Sequence, residues 1–324
     1  DGIDNAVKFI FAQINPTRFI DDGGHKHFVH FALTSFKLTI MEIMIITGAT
    51  ASGKSAYALE AAKKQSGVII NADSMQIYKG LPILSAQPNE EEQEQAEHRL
   101  YGFVDAKQPY NVGDWLEDAS IAVHDVLSRG KLPLIVGGTG LYLKALMEGL
   151  SPIPDIPAAV RKEGEALGHE AMLATLDAET KAAIDTKNPR RVARAWEVEA
   201  HTGKRLIDWH DKPQHPPFPD ARFTGVIIEP QKEAHWQKIH ERFVHALDNG
   251  AVEEVEAMLQ RNIPDSAQIR MTHGYREIEA MLNGQMTRDE VIERTCAQIR
   301  QYTKRQRTWF RNQLTSYYFE IIRS

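Results

Sequence analysis

The chain has 324 residues, of which 42% are hydrophobic and 25% are charged, a composition typical of a globular protein with room for one large or two modest domains. It has no run of about 18 apolar residues, which excludes a membrane-spanning helix. The single cysteine, Cys296, excludes an intramolecular disulfide and a cysteine-based zinc site, and it predicts a cytoplasmic protein. The net charge of −6 excludes a protein that binds nucleic acid over its whole surface, so any nucleic-acid site must be local.

Residues 1–40 differ in pattern from the rest of the chain. Pro16, Arg18, Asp21 and Asp22 interrupt their apolar runs, and no basic stretch precedes a clean apolar segment, so a secretory signal is not expected. The acidic residues also argue against a transit peptide. We predict a poorly ordered leader upstream of a natural start at Met41.

The following part of the chain alternates short apolar runs with helical patterns. Strands are expected at residues 42–47, 68–71 and 132–136. Helices are expected at residues 55–64, at residues 112–127 and in a segment ending near residue 147. The acidic run NEEEQEQAE is typical of a solvated helix face. This alternation predicts an α/β fold, with a parallel sheet covered by helices on both faces.

Two proline-rich segments interrupt this pattern. SPIPDIP, at residues 151–157, precedes a helical stretch that is poor in strands, and KPQHPPFP, at residues 212–219, follows it. A strand is then expected at residues 223–228, and amphipathic helices follow to about residue 312. We therefore predict an α/β core formed by residues 41–150 and 220–315, into which residues 151–219 are inserted as a helical domain.

The segment GATASGKS fits the phosphate-binding loop pattern G-x-x-x-x-G-K-[ST], between a predicted strand and a predicted helix. Glycines at both ends permit conformations that a Cβ would forbid, and the loop amides and helix N-terminus surround an anion. The lysine supplies a positive charge and the final serine can ligate Mg²⁺. The predicted phosphate-binding residues are Gly48, Ala49, Thr50, Ala51, Ser52, Gly53, Lys54 and Ser55.

The loop alone selects neither a substrate nor a reaction. In P-loop ATPases a second strand ends in an aspartate that holds Mg²⁺, but the strand LPLIV ends in Gly-Gly-Thr, which weakens an ATP-hydrolysis interpretation. The strand VIIN instead leads to Asp73, at the carboxyl edge where ligands bind in open α/β sheets. Asp73 is therefore a candidate general base, with a helix cap or an outer Mg²⁺ contact as the alternative roles.

Two segments are locally basic. NPRRVAR places Arg190, Arg191 and Arg194 in the first turns of a helix. Positive charges there interact unfavourably with the helix dipole, which indicates a functional role for these arginines. Residues 294–311 carry six basic residues and no acidic residue, with aromatics interleaved. Such a helix can follow a nucleic-acid backbone, although a surface helix with inward-facing aromatics would give the same pattern.

Five segments occur in the order GATASGKS, NADSMQIYKGLPI, VGGTGLYLKALMEGLSPIP, NPRRVARAWEV and RQYTKRQRTWFR. Together, over roughly residues 41–312, they closely resemble the tRNA dimethylallyltransferase (isopentenyl-tRNA transferase) family. The resemblance implies transfer of a dimethylallyl group from dimethylallyl diphosphate to N6 of adenosine 37, in the anticodon stem-loop of tRNA. The loop would then hold the departing diphosphate with Mg²⁺ on Ser55, and no phosphoryl group would be transferred.

The resemblance also implies roles for individual residues. Asp73 corresponds to the family's general base, Thr139 to a threonine beside the reaction channel, and Arg242 to an arginine that assists at the diphosphate. The residues implied to contact tRNA are Asp73, Ser74, Met75, Gln76, Thr139, Arg161, Arg190, Arg191, Val192, Ala193 and Arg194. Arg190 stands where the family usually has glutamine, and Ala49 where it usually has proline.

Other features of the sequence bear on the type of enzyme. IRMTHGYRE resembles a tRNA-contact region of the family, with its spacing offset by one residue. The absence of a C-terminal zinc-finger extension indicates the bacterial branch, and we expect a monomer. The alternatives are a P-loop kinase and a prenyltransferase that acts on free nucleotides. The arginines of residues 151–219 favour a macromolecular acceptor over both.

Overall fold

The computed structural model describes residues 41–210, 214–314, 317 and 319–323. The predicted leader, residues 1–40, lies outside the described residues. The strands β1–β6 are Glu42–Gly48, Gly67–Asn71, His98–Arg99, Leu132–Gly137, Arg222–Glu229 and Phe319–Arg323. The helices α1–α12 are Lys54–Gln65, Glu90–Gln95, Val112–Ser128, Gly140–Glu148, Ala158–Thr175, Ala178–Ala183, Pro189–Thr202, Leu206–His210, Lys232–Asp248, Ala251–Gln260, Tyr275–Leu282 and Arg288–Gln313. A short 3₁₀ turn spans Gln268–Met271.

The strands of the described residues form one sheet in the order β3-β2-β4-β1-β5-β6, and every pairing in it is parallel. Successive residues of β1 point to opposite faces, so Ile45 packs in one apolar cluster and Ile46 in another. Helix α1 contributes to the second cluster through Leu59, while Trp115 of α3 and Phe243 of α9 lie in the first. The predicted α/β fold with a parallel sheet covered on both faces is confirmed.

Two strands were not predicted from the sequence. Strand β3 has only two residues and pairs with Ile69 and Ile70 of β2, which is too short to give a periodic pattern. Strand β6 pairs with β5 at the edge of the sheet and is largely accessible to solvent, so it lacks the apolar run of a buried strand. These strands extend the sheet at its two edges, and His98 of β3 lines the cavity that surrounds the phosphate loop.

Helices α5–α8 follow the first proline-rich segment. They enclose an apolar cluster of their own, which includes Met172, Val192 and Trp196. Within this stretch α5 is kinked at Gly168, whose φ of 78° is left-handed. The separate cluster supports the proposal that residues 151–219 are a helical insertion in the α/β core. Among the described residues, no helix is long and apolar enough to cross a bilayer.

Strands β1, β2 and β4 end side by side at one edge of the sheet. Thr47 pairs with Gly137, and Asn71 pairs with Val136. The loops that leave these strands therefore meet. They carry the phosphate loop, Asp73 and Thr139, which is the arrangement that open parallel sheets use to bind ligands.

Candidate active site

The phosphate loop runs from the end of β1 into the first turn of α1. Gly53 precedes α1 with a φ of 95°, a backbone conformation that a side chain would strain. Ala51 also has a left-handed φ, of 63°. Such conformations turn successive amides towards one point and create a concave site for an anion at the helix N-terminus.

Lys54 lies at the floor of this loop. Its Nζ donates to the carbonyl of Ala49 at 3.0 Å. Burial lowers the pKa of Lys54 to about 8, while Asp73 opposes this shift and the charge of Arg242 adds to it. A bound diphosphate would replace lost hydration with negative charge, and Lys54 would then be held in its protonated form.

A first cavity of about 550 Å³ surrounds the phosphate loop. It is lined by residues 50–55 and, from outside the loop, by Asp73, Gln76 and Arg242 among others. Its basic side chains, Lys54, Lys238 and Arg242, are matched in number by the acidic Asp73, Glu92 and Glu241, and the loop amides and the N-terminus of α1 add positive potential. This cavity, which we call the phosphate cavity, suits a diphosphate better than a neutral ligand.

A second cavity of about 870 Å³ adjoins the first, and we call it the acceptor cavity. Thr50, Asp73 and Arg242 line both cavities. The remaining walls are rich in aromatic side chains, among them Tyr78, Tyr110, Tyr142, Phe243 and Tyr302. Aromatic walls of this kind can stack on a planar base that has been taken out of a nucleic-acid strand.

Asp73 is held rigidly where the two cavities meet. Its Oδ1 accepts a hydrogen bond from the amide of Met75 at 2.9 Å, and its own amide donates to Oδ1 of Asn71 at 2.8 Å. Trp115, which is fully buried, donates from Nε1 to the carbonyl of Asn71 at 2.9 Å. Among the described residues Asp73 Oδ2 has no hydrogen-bond donor, so it is available to accept a proton from a ligand.

Thr139 lies next to Asp73 through the loop that follows β4. Its Oγ1 accepts from the amide of Ser74 at 3.0 Å, and its amide donates to the carbonyl of Ala72 at 3.2 Å. Thr139 and Ser74 also line the acceptor cavity. The sequence resemblance placed these residues together, and the structure brings them to one wall of the acceptor cavity.

Arg242 enters the site from α9. Its side chain is accessible from the cavities, yet protein atoms surround it, and this desolvation lowers the pKa of its guanidinium while Asp73 raises it. Arginine nevertheless stays protonated at any physiological pH. Lys54 and Arg242 therefore place two positive charges near Asp73, and both side chains line the phosphate cavity.

Some of the other residues predicted to contact tRNA line one of the two cavities, and the rest lie outside both cavity walls. Met75, Arg190 and Arg194 line the acceptor cavity, whereas Gln76 lines the phosphate cavity and donates to the carbonyls of Ser85 and Ala86 at 3.0 and 2.6 Å. Three more residues of α7 and α5 lie outside both cavity walls: Arg161, Arg191 and Ala193. Val192 is fully buried among the insertion helices, so its side chain stabilises α7 rather than facing either cavity.

The basic helix α12 shows both of the arrangements that its sequence allows, basic side chains that face a ligand site and aromatic side chains that pack inward. Arg305 and Tyr302 line the acceptor cavity. Phe310 is buried, while Arg307 and Arg311 bond to neighbouring elements, the latter to Glu229 at 2.7 Å. One face of this helix is therefore available to a ligand, and much of its other basic character is used within the fold.

Sequence reasoning missed most of the acceptor cavity. Tyr78, Tyr110 and Tyr142 come from three separate segments, and single aromatics carry no pattern that marks them as a wall. His273 also lines this cavity, and burial lowers its pKa, so the ring is neutral at physiological pH. The segment IRMTHGYRE does supply residues to the site, through Met271, Thr272 and His273.

The fold and site together define a P-loop group-transfer enzyme. A phosphate-binding loop lies in one cavity, a larger cavity with aromatic walls adjoins it, and a carboxylate with one free oxygen stands between them. The described residues contain no cluster of three or more histidine, cysteine or acidic side chains that could hold a metal on their own.

Comparison with known proteins gives the particular family. The IPP transferase profile matches residues 76–313, and the isopentenyl transferase profile matches residues 41–107. A tRNA dimethylallyltransferase of Rhizobium etli is 42% identical over 285 residues, which is 86% of this chain and 96% of that protein. One of Agrobacterium fabrum is 42% identical over 281 residues, 84% of this chain and 94% of that protein.

Solved structures agree with this result. The tRNA isopentenylpyrophosphate transferase of Bacillus halodurans matches with a TM-score of 0.62 and 30% identity, over 87% of this chain and 90% of that one. The Staphylococcus epidermidis enzyme matches with a TM-score of 0.61 and 28% identity, over 87% and 93% of the two chains. The protein belongs to the tRNA dimethylallyltransferase family, a family of prenyltransferases.

Proposed function

We propose that the protein transfers a dimethylallyl group from dimethylallyl diphosphate to N6 of adenosine 37 in tRNA, which yields N6-(dimethylallyl)adenosine and diphosphate. One observation carries the assignment: Asp73 lines both the phosphate cavity and the acceptor cavity. A carboxylate in that position can take a proton from an acceptor in one cavity while the leaving group is held in the other.

The phosphate cavity holds the donor. Amides of the phosphate loop and the ammonium of Lys54 bind the diphosphate, and Arg242 neutralises charge at the end nearest the acceptor. Ser55 lies in the first turn of α1, and its hydroxyl has no hydrogen-bond partner among the described residues. This oxygen fits Mg²⁺, which takes few protein ligands and the remainder from phosphates and water. When bound, Mg²⁺ would neutralise charge on the diphosphate.

The acceptor cavity holds the target adenine. The base leaves the stack of the anticodon loop and lies against the aromatic walls, as base-modifying enzymes require. Arg190 and Arg194 line the same cavity and place positive charge beside the RNA backbone. We further propose that the protein acts as a monomer in the cytoplasm.

The reaction follows from this placement. The N6 amine attacks C1 of the dimethylallyl group, the C1–O bond breaks, and its electron pair leaves on the diphosphate. Oδ2 of Asp73 accepts the proton that N6 loses. Lys54 and Arg242 stabilise the negative charge on the leaving group, as preorganised charges do in a site that excludes water. Thr139 fixes the turn that carries Ser74 beside Asp73.

One incubation tests this function. The protein, Mg²⁺, dimethylallyl diphosphate and unmodified tRNA are mixed, and the tRNA is digested and analysed for N6-(dimethylallyl)adenosine. We expect the modified nucleoside from tRNA and none from free AMP. Transfer to AMP but not to tRNA, or transfer of the γ-phosphate of ATP to a small acceptor, would refute the assignment.

A further inference from the structure

Thr50, in the middle of the phosphate loop, is bonded from outside the loop through both of its backbone groups. Its amide donates to Oε1 of Gln306 at 3.0 Å. Nε2 of Gln306 donates in turn to the carbonyl of Gly138 at 2.9 Å, and the Gln306 side chain is buried. A single carboxamide on α12 thus ties the phosphate loop to the loop that follows β4.

The carbonyl of Thr50 is bound from a second helix. Nε2 of His235, on α9, lies 2.7 Å from it, and Nη2 of Arg307 lies 3.0 Å from Nδ1 of His235. An arginine can only donate, so Nδ1 must accept, and the proton of the neutral ring lies on Nε2. His235 therefore donates to Thr50. Burial also lowers the pKa of His235, which favours this neutral ring.

The residue that follows Thr50 adopts a conformation that its side chain disfavours. Ala51 has a φ of 63°, which crowds its Cβ against the backbone. Strained residues of this kind persist only where their surroundings fix them in place. The bonds from Gln306 and His235 fix Thr50, and no other side chain among the described residues bonds to the backbone of Thr50 or Ala51.

We propose that Gln306 and His235 are positioning residues, which hold the phosphate loop in the conformation that receives the diphosphate. They occupy both backbone groups of Thr50, and the amide of Ser52 donates to the carbonyl of Ala49 at 3.1 Å. The loop amides left to the ligand are therefore those of Ala51, Gly53, Lys54 and Ser55. Loss of either bond lets the loop relax from the left-handed turn at Ala51, and the amides then no longer converge. The inference rests on the proposed function only in taking a diphosphate as the ligand of the loop.

The test measures binding of inorganic diphosphate with Mg²⁺ by titration calorimetry on the full chain. Gln306→Met removes the bonds to Thr50 and Gly138, and His235→Leu removes the bonds to Thr50 and Arg307, while both variants keep similar bulk. Each variant is expected to weaken binding about tenfold. His235→Gln keeps a donor for Thr50 and is expected to bind within about threefold of the wild type. Gln301→Met and His240→Leu, exposed on the same two helices, are the matched controls and are expected to bind normally.

A second substitution separates positioning from general destabilisation. Ala51→Gly removes the disfavoured side chain and, combined with Gln306→Met, is expected to recover most of the lost affinity, while the affinity for tRNA stays unchanged throughout. Normal binding by Gln306→Met and His235→Leu would overturn the inference, as would equal loss in the two controls or no recovery with Ala51→Gly. If the wild type and the variants bind diphosphate as predicted but the wild type modifies no tRNA, the proposed function would be refuted and the inference would stand.

Discussion

The affinity of the phosphate loop for a diphosphate is expected to fall as the pH rises from about 7 to about 9. Burial lowers the pKa of Lys54 to about 8 in the free protein. A bound diphosphate favours the charged ammonium, so binding raises the pKa of Lys54 again. The protonated form binds the ligand, and affinity is therefore complete well below pH 8 and is lost above it.

The size of the effect follows from the protonated fraction. With a pKa of about 8, Lys54 is about nine-tenths protonated at pH 7 and about one-tenth protonated at pH 9, so the affinity falls about tenfold. Free inorganic diphosphate keeps its last proton into this range, but bound Mg²⁺ favours the fully ionised ligand, so the titration is made at a constant Mg²⁺ concentration high enough to saturate the diphosphate. Burial also lowers the pKa of His98 and of His235 and raises that of Tyr101, so these groups do not titrate there.

Calorimetric titration of inorganic diphosphate at constant Mg²⁺, repeated across this pH range, measures the decline. Lys54→Arg is the matched variant, because arginine keeps its charge throughout. We expect weaker binding by this variant at pH 7, since the longer group does not fit the loop, but a flat profile up to pH 9. A flat wild-type profile, or a variant that retains the wild-type slope, would refute the assignment of Lys54 as the titrating group.

Three further predictions concern the acceptor side, the scaffold and the loop. Replacing Arg190 and Arg194 by alanine should raise the KM for tRNA and reduce the salt slope of tRNA binding by about one unit for each lost phosphate contact. Trp115→Phe removes the hydrogen bond that supports the Asp73 turn and should lower the free energy of unfolding by about 1–3 kcal/mol in urea titrations. Gly53→Ala forces a side chain into a left-handed turn and should cost about 1–2 kcal/mol of stability together with a loss of diphosphate affinity.

The arginine and glycine predictions each have a matched control. Arg222, an exposed arginine at the amino end of β5, lies at the edge of the sheet opposite the site, and Arg222→Ala should leave the salt slope unchanged. Gly130 also has a left-handed φ, of 67°, with open space around it, so Gly130→Ala should cost similar stability without changing diphosphate affinity. An unchanged salt slope in the double-arginine variant would show that those side chains do not meet phosphate. Unaltered stability in Trp115→Phe would mean that its hydrogen bond is replaced.

Sequence patterns predicted the parts of this protein that depend on local chemistry. The glycines and Lys54 of the phosphate loop gave a motif whose structure is fixed by backbone conformation and charge. Asp73 was found because a parallel sheet brings its carboxyl ends to one edge. The arginines of α7 lie in its first turns as predicted, with Asn188 as the helix cap and proline at the first helical position.

The remaining features depend on contacts between distant segments. Gln306 and His235 meet Thr50 across sequence separations of 256 and 185 residues, and no local pattern encodes such contacts. The aromatic walls of the acceptor cavity are assembled in the same way. Val192 shows the limit of a local motif. It lies in NPRRVAR, a segment expected to contact tRNA, but its side chain is buried where α7 packs against the other insertion helices.

The most direct test of the central claim is the single-turnover rate of transfer to tRNA in the wild type and in Asp73→Asn. The asparagine keeps the shape and the hydrogen bond to Met75 but cannot take the proton from N6. We predict transfer about 10³-fold slower, within the range expected for loss of a general base, with an unchanged affinity for tRNA. A variant that transfers the group within about threefold of the wild-type rate would contradict the account, because Asp73 would then not be the base.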